Sequence, residues 1–406
     1  MLFFSYWVTS WELAISGETL LMRKVEQVRG FFVSHNNPMR DSVLLVNVAY
    51  DRENVIVKDK YDTAGYGQIT DRHKLYQLLK ELKHKDDSLF ALTQKQHYYK
   101  YILLDVIFDA DIHTPADSAL FSLIASMYHI VIPKNKDVAL ADTSLDKKAG
   151  LGNYYTNYKN VSFTKFPYLV DGKRSLPLRM YEEMTGHTIT DHRLFATDGW
   201  RLARKSIMPV FELRCDSAYM DDGSKTWYNM GRDLVGSTYL SYGSTLTGTR
   251  ELYDNPMLTR DKYIIIGAFS GGDMHYSYLE NQPGSAILFN VFLSLMHGHH
   301  KMSFFVALIL FVAFYYLSWR ILSGKTIDAM LEQLPQKNHS VVATMTSFVA
   351  FMGSWMGYSM FLSLLCIFTY LTMNEVYDIS ITATAFKLLS MAVTKVKKIK
   401  NKKQHA

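Results

Sequence analysis

Apolar residues fall in short unbroken runs through the first three quarters of the chain and in long ones through the last quarter. Ser42–Tyr50 (SVLLVNVAY), Tyr101–Phe108 (YILLDVIF), His129–Pro133 (HIVIP) and Tyr263–Ala268 (YIIIGA) are runs of strand length, and each reads as a buried strand. Between the first two, Thr70 caps a predicted helix over Asp71–Leu82, with Leu75, Leu78, Leu79 and Leu82 on one face. Between the next two, Thr114-Pro115-Ala116-Asp117 supplies a hydroxyl cap, a proline at N1 and a carboxylate at N3 for a helix running to about Tyr128. Strand, helix, strand in this order predicts parallel pairing with right-handed crossovers. Residues 134–250 show no such rhythm and read as an elaboration of the same domain. Pro283-Gly284 then opens an apolar helix, Ser285–Met296.

The long runs read differently. Met302–Trp319 is an uncharged stretch of 18 residues, the length of a bilayer-spanning helix, with Tyr315, Tyr316 and Trp319 toward its end. Val341–Met373 is a second uncharged run. It is long enough to tilt, to start outside a bilayer or to break near Gly353. Gly353 and Gly357 also have the G-x-x-x-G spacing that lets two helices pack closely; incidental glycine usage explains the pair equally well. Val376–Val393 carries Asp378 and Lys387 and reads either as a third span or as an interfacial helix. Lysine and arginine bias across the loops favours the span. The sequence thus predicts an α/β extracytoplasmic domain with a mainly parallel sheet, over 23–300, followed by a small C-terminal transmembrane helix cluster and a basic tail over 394–406. Residues 1–22, apolar but interrupted by Glu12 and Glu18, make a possible poor N-terminal anchor. Multi-pass placement in a cell inner membrane is the expectation that goes with this reading.

Charge refines the picture. The net charge is +6, and six lysines (395, 397, 398, 400, 402 and 403) account for it; the other 38 basic residues equal the 38 acidic ones. A neutral body with a basic tail argues against nucleic-acid binding, which needs positive charge on a folded face. Mean hydropathy is −0.05, too low for apolar residues to be spread evenly over a polytopic protein. Cys215 and Cys366 lie in unlike surroundings and predict no disulfide. Asn160-Val161-Ser162 and Asn338-His339-Ser340 match the glycosylation acceptor pattern, a short motif that chance also supplies.

Candidate chemistry sits at the predicted strand ends. Asp51, Asp109, Asp111, Asp273 and His275 all follow predicted strands, and in a parallel sheet such positions converge on the edge where ligands bind. A metal or a cationic ligand is one reading. Helix capping and turn closure, the routine work of Asp and His, is the other. His297, His299 and His300 form a cluster that suits either a metal site or a solvated linker, and the linker is favoured. Motifs for phosphate-binding loops, zincins and nucleophile elbows are absent, and no cofactor is predicted.

The body resembles the type-two CHASE domain, the sensory module of bacterial receptors. VLLVNVAYD, Thr70-Asp71-Arg72, ILLDVIFD with the downstream Asp117, and above all residues 264–298 carry the likeness in the family's order. In that last stretch a strand, a glycine, Asp273-x-His275 and Pro-Gly lead into a helix bearing Asn290. The resemblance covers about residues 40–300 and is poor over 134–250. It implies a membrane-anchored ligand-binding sensor of a small molecule that signals through a separate protein partner, since relatives commonly carry an output domain and about a dozen residues follow Thr394 here. A docking subunit of an envelope complex and an enzyme using the acidic edge are the alternatives, and any of the three readings is compatible with an oligomer.

Overall fold

The computed structural model describes residues 24–25, 42–49, 51–58, 64–135, 139–152, 165–192, 195–213, 238–241, 260–269, 273–277, 281–323, 340–373 and 379–404. Residues 1–22, the Asn160 pattern, Asn338 and His339 of the second pattern, and Cys215 lie outside them. A six-stranded sheet forms the centre: β1 (Val43–Asn47), β2 (Tyr101–Leu104), β3 (Ile130–Lys134), β4 (Ala149–Leu151), β5 (Thr238–Ser241) and β6 (Tyr263–Gly267). Its order is β5-β1-β6-β2-β3-β4, and every pairing is parallel. The expected parallel α/β sheet is therefore present.

Alternation within the strands sorts side chains to two covered faces. Leu44, Val46, Ile102, Leu104, Ile130, Ile132, Ile264 and Ile266 face one way. They pack against α1 (Arg72–Thr93) and α2 (Asp117–Ser126) through Leu75, Leu78, Leu79, Leu82, Leu120, Phe121 and Ile124. Val43, Leu45, Tyr101, Leu103, Val131 and Ile265 face the other way, toward α3 (Leu176–Thr185) and α4 (Gly284–Met296). Arg72 is the one large charged side chain buried in the first layer. It bonds Asp117 at 2.6 Å and the Ile112 carbonyl at 3.1 Å, and lies over the rings of Phe108 and Phe121.

Local details depart from the sequence expectation. Asp71, not Thr70, caps α1, accepting from the Lys74 amide at 2.9 Å. The helix continues to Thr93, beyond the apolar stripe, with Lys83 and Asp87 paired one turn apart. Ahead of α1, residues Arg52–Lys58 and Ala64–Thr70 form a hairpin that the apolar pattern does not reveal. The 134–250 region contributes β4, β5, α3 and a three-stranded antiparallel sheet over 189–203.

Beyond α4 come α5 (Phe304–Leu322), α6 (Ser340–Met373) and α7 (Ile379–Gln404). No helix among the described residues is long and apolar enough to cross a membrane. That overturns the expected transmembrane cluster, and with it the multi-pass inner-membrane placement and the sidedness assigned to the domain. The physical reason is where the apolar residues go. Leu310, Phe314, Leu317 and Ile321 of α5, Tyr358, Leu362, Cys366 and Tyr370 of α6, and Ile379, Ala383 and Phe386 of α7 recur at helical spacing and bury into the same core as α3 and α4. An uncharged run by itself does not separate a packed helix from a span. At 19 residues, α5 is about 28 Å long at the usual rise per residue, and Arg320 sits in its last turn. In α7 the buried Lys387 and the lysine-rich end belong to one continuous helix. α6 runs unbroken through Gly353, and Gly357 is half-buried within it. Phe304, Phe305, Leu308, Phe311, Val312 and Tyr315 of α5 remain exposed.

Candidate functional site

Strands β1 and β2 follow each other in sequence, yet β6 lies between them. Loops leaving the carboxyl ends on either side of such an insertion part, and the crevice between them is where parallel sheets bind ligands. Three residues mark it: Asn47 ends β1, Gly267 ends β6 and Asp105 follows β2. Asn47 is fully buried, and its Oδ1 accepts from the amides of Ala49 and Phe269 at 3.0 and 3.2 Å, tying the exits of β1 and β6 together. The Asp105 amide donates to the Ile266 carbonyl at 2.7 Å, fixing the exit of β2 beside β6.

Helix α4 starts on this edge. A Cβ on Gly267 would lie 2.9 Å from Ser285 Oγ and 3.3 Å from Asp105 Cβ, so only glycine lets the first turn of α4 settle against the strand end. Pro283 occupies the N-cap position and supplies no side-chain acceptor, so no cap side chain satisfies the first amides of α4. Ser285 is buried and its hydroxyl has no hydrogen-bond partner. Asp105 lies beside it. Burial, and then the nearby charge of Asp273, push the Asp105 carboxyl up to about 8, so at neutral pH it is protonated and able to donate as well as accept. Asp273 in turn pairs with His275 at 3.1 Å. The group therefore comprises a neutral acid, a hydroxyl, a helix N-terminus and a carboxylate–imidazole pair. Its elements suit recognition of a polar ligand. Among the described residues no base is bonded to Ser285.

The residues named from sequence lie in four places. Asp273 and His275 join Asp105 at the crevice. Asp51 is buried between β1 and α1, with Oδ1 on Lys74 at 3.0 Å and Oδ2 without a partner; burial raises its pKa despite the lysine. Asp109 is half-buried beside the exposed Asp111 and accepts weakly from Asn135 at 3.5 Å. Burial first, then Asp111, raise the pKa of Asp109. Asp117 closes the start of α2, taking the Thr114 amide and hydroxyl at 2.9 and 2.7 Å. No group of three or more His, Cys, Asp or Glu that could hold a metal occurs among the described residues. Asp105, Asn47 and Ser285 were not singled out from sequence. The apolar run predicts a strand to Phe108 and so leaves Asp105 inside it, whereas the strand ends at Leu104 and Asp105 is the first residue past it.

At the far end of α4 lies a second polar cluster, and it corrects the solvated-linker reading for His299 and His300, while His297 stays exposed. His300 is fully buried. Its Nε2 lies 2.9 Å from Asp198 Oδ2, and a carboxylate only accepts, so Nε2–H donates. Tyr181 donates to the same oxygen at 2.8 Å, and Lys301 forms an ion pair with it at 2.9 Å. These donors outweigh the desolvation of Asp198 and hold it well below the usual carboxylate range. Burial above all pushes His299 and His300 down to about 4. The Arg204 amide donates to the His300 carbonyl, and its guanidinium to that of His299 at 2.7 Å. Residues between α4 and α5 are thus clamped to the three-stranded sheet and to α3.

Comparison with known proteins leaves this geometry to speak for itself. No protein-family model, no curated protein and no solved structure matches the chain.

Proposed function

We propose that the α/β unit is a non-catalytic, ligand-binding sensory module of the CHASE type-two kind, and that α4 carries its state to the C-terminal helices and through them to a partner protein. One observation carries the reading: α4 begins in the crevice at Ser285 and ends in the clamped segment that leads directly into α5. Its buried length is a rigid connection. A polar molecule held by Asp105, Ser285 and the first amides of α4 would bear on that helix, and a displacement there would reach α5 through the Asp198 cluster. The order strand, glycine, Asp-x-His, Pro-Gly, helix supports the family part of the proposal.

The test mimics a ligand sterically. Gly267→Ala places a methyl against Ser285, and hydrogen exchange of the full chain then reads where the effect travels. Altered protection over 297–322 is expected, with Leu82→Ala on the opposite layer as the control that destabilises without pushing on α4. Changes confined to the neighbourhood of β6 would refute the coupling. A second reading, a docking subunit of a larger assembly, is favoured by the exposed apolar residues of α5. Constant stoichiometry in a purified complex, whatever small molecules are present, would decide for it.

A further inference from the structure

A cavity of about 370 Å³ opens at the carboxyl ends of β3 and β4, with Asp109 just outside its lining, 3.5 Å from the lining residue Asn135. Its walls are the 3-10 turn Thr143–Lys148, the turn at Gly172-Lys173 and the start of α3. The size falls in the range of small-molecule sites, roughly 300–1,000 Å³. Four cations line it: Lys134, Lys173, Arg174 and Arg179. Among the described residues of the lining, Asp146 is the one acid.

The charges do not cancel. Lys134 faces Asp146 at 3.4 Å, and Arg174 pairs with Glu182 at 2.7 Å. Lys173 and Arg179 have no ion-pair partner among the described residues. The Nε of Arg179 is buried without a hydrogen-bond partner, an arrangement that costs free energy unless something supplies an acceptor. Local structure holds these groups in place. Gly172, at φ 74°, makes the turn that presents Lys173. Gly150 of β4 lies so close to Ser175 and Leu176 that a Cβ would sit 2.5 Å from the Leu176 backbone, which fixes the start of α3 against the strand. Arg179 lies in the first turn or so of α3 and lines the cavity, and its charge also bears on Tyr101.

We propose that this cleft binds a small organic phosphate monoester, with Arg179 and Lys173 on the phosphate oxygens and the acid-paired Lys134 and Arg174 framing them. Two uncompensated cations match the double charge of one such headgroup. A planar guanidinium beside a compact ammonium suits several oxygens on a single centre better than carboxylates set apart on a carbon chain. The proposal goes beyond the sensory reading and stands without it, since it uses neither Asp105 nor α4.

Isothermal titration of the full chain at low salt with glycerol 3-phosphate, inorganic phosphate and succinate tests it. Saturable binding of glycerol 3-phosphate is expected, with inorganic phosphate weaker and succinate weaker by about tenfold or more. Lys173→Gln and Arg179→Gln should each weaken glycerol 3-phosphate binding by about tenfold. Asp146→Asn should tighten it, because Lys134 is then released. Lys173 is exposed on a turn, so its variant keeps the fold even if the Arg179 variant does not. Absence of saturable binding to glycerol 3-phosphate, equal affinity in the Lys173 variant, or tighter binding of succinate would overturn the proposal.

Discussion

Replacing Asp105 with asparagine should stabilise the protein, and by more as the pH rises. In the unfolded chain an aspartate ionises near 3.8, whereas in the fold burial and Asp273 hold Asp105 protonated up to about 8. Below 3.8 both states carry the proton and the acid costs nothing. Between the two values the unfolded state has lost a proton that the folded state keeps, so stability falls as pH rises. Above about 8 the penalty is complete. At about 1.4 kcal/mol per pH unit, the full interval sets a ceiling of roughly 6 kcal/mol. Relaxation around an ionised group lowers such figures, and about 3 kcal/mol is the expected gain for the asparagine variant at pH 8. For a body of this size that corresponds to roughly 6–12 °C in melting temperature, shrinking toward zero near pH 4. Thermal melts of wild type and Asp105→Asn from pH 4 to 9, with the exposed Asp87→Asn as reference, measure it. A gain that is the same at every pH, or that shrinks as pH rises, would show that Asp105 is not held protonated in the crevice.

Three further outcomes follow from other parts of the fold. Arg72→Met leaves Asp117 buried without its cation, and should cost about 3–5 kcal/mol in denaturant unfolding; adding Asp117→Leu should recover part of that loss, and additive costs would argue against a coupled pair. His299 and His300 are held down to about 4, while an unfolded histidine takes up its proton near 6.5. The unfolded state therefore gains protons first, and stability should drop as pH falls from 6.5 toward 4, with exchange over 297–301 rising; His300→Gln should flatten that dependence, and an unchanged profile would sink the assignment. Gly150→Ala drives a methyl into the α3 backbone and should cost about 1–3 kcal/mol by chemical denaturation, whereas a neutral effect would mean that the strand and helix can separate freely.

Much of the α/β architecture is legible in the runs of apolar residues. β1, β2, β3, β6, α1, α2 and α4 all lie where those runs predict them, but neither predicted threonine cap forms: Asp71 caps α1, and α2 begins at Asp117 after Ala116, with Thr114 donating to Asp117. The edge strands β4 and β5 are not legible, because three or four residues at a sheet edge bury too little to leave a pattern. The second half of α1 is hidden for a related reason: after Leu82 its sequence turns polar and the helix rests on pairs such as Lys83–Asp87. The long uncharged runs misled because hydrophobicity reports what a segment avoids, not what it packs against. For the site, strand-end position identifies Asp273 and His275, and overlooks Asp105 because the apolar run continues through Val106 and Ile107 beyond the last strand residue. Asp109 and Asp111 have the right position and the wrong neighbours: they lie where Arg72, engaged by Asp117, closes the start of α2.

The burial of polar groups along α4 and at its ends gives these separate facts a common cause. From Ala286 to Phe292 the helix is enclosed, and the two polar side chains that face its core, Asn290 and Ser294, are satisfied: Asn290 bonds both backbone groups of Leu213, and Ser294 takes the Val210 amide. The unsatisfied polar groups lie at its ends. At the N-terminus Ser285 lacks a partner and Asp105 is held neutral; at the C-terminus the Nδ1 atoms of His299 and His300 are buried without partners. A helix needed only as core would be expected to show the reverse, with apolar or capped ends, since each orphaned group costs about 1–3 kcal/mol. Such costs persist where the site needs them. A partner for the groups at one end of α4 would relieve the cost there and leave the other end unchanged, so that the balance between the two ends, rather than the stability of the whole, is what a ligand in the crevice would alter.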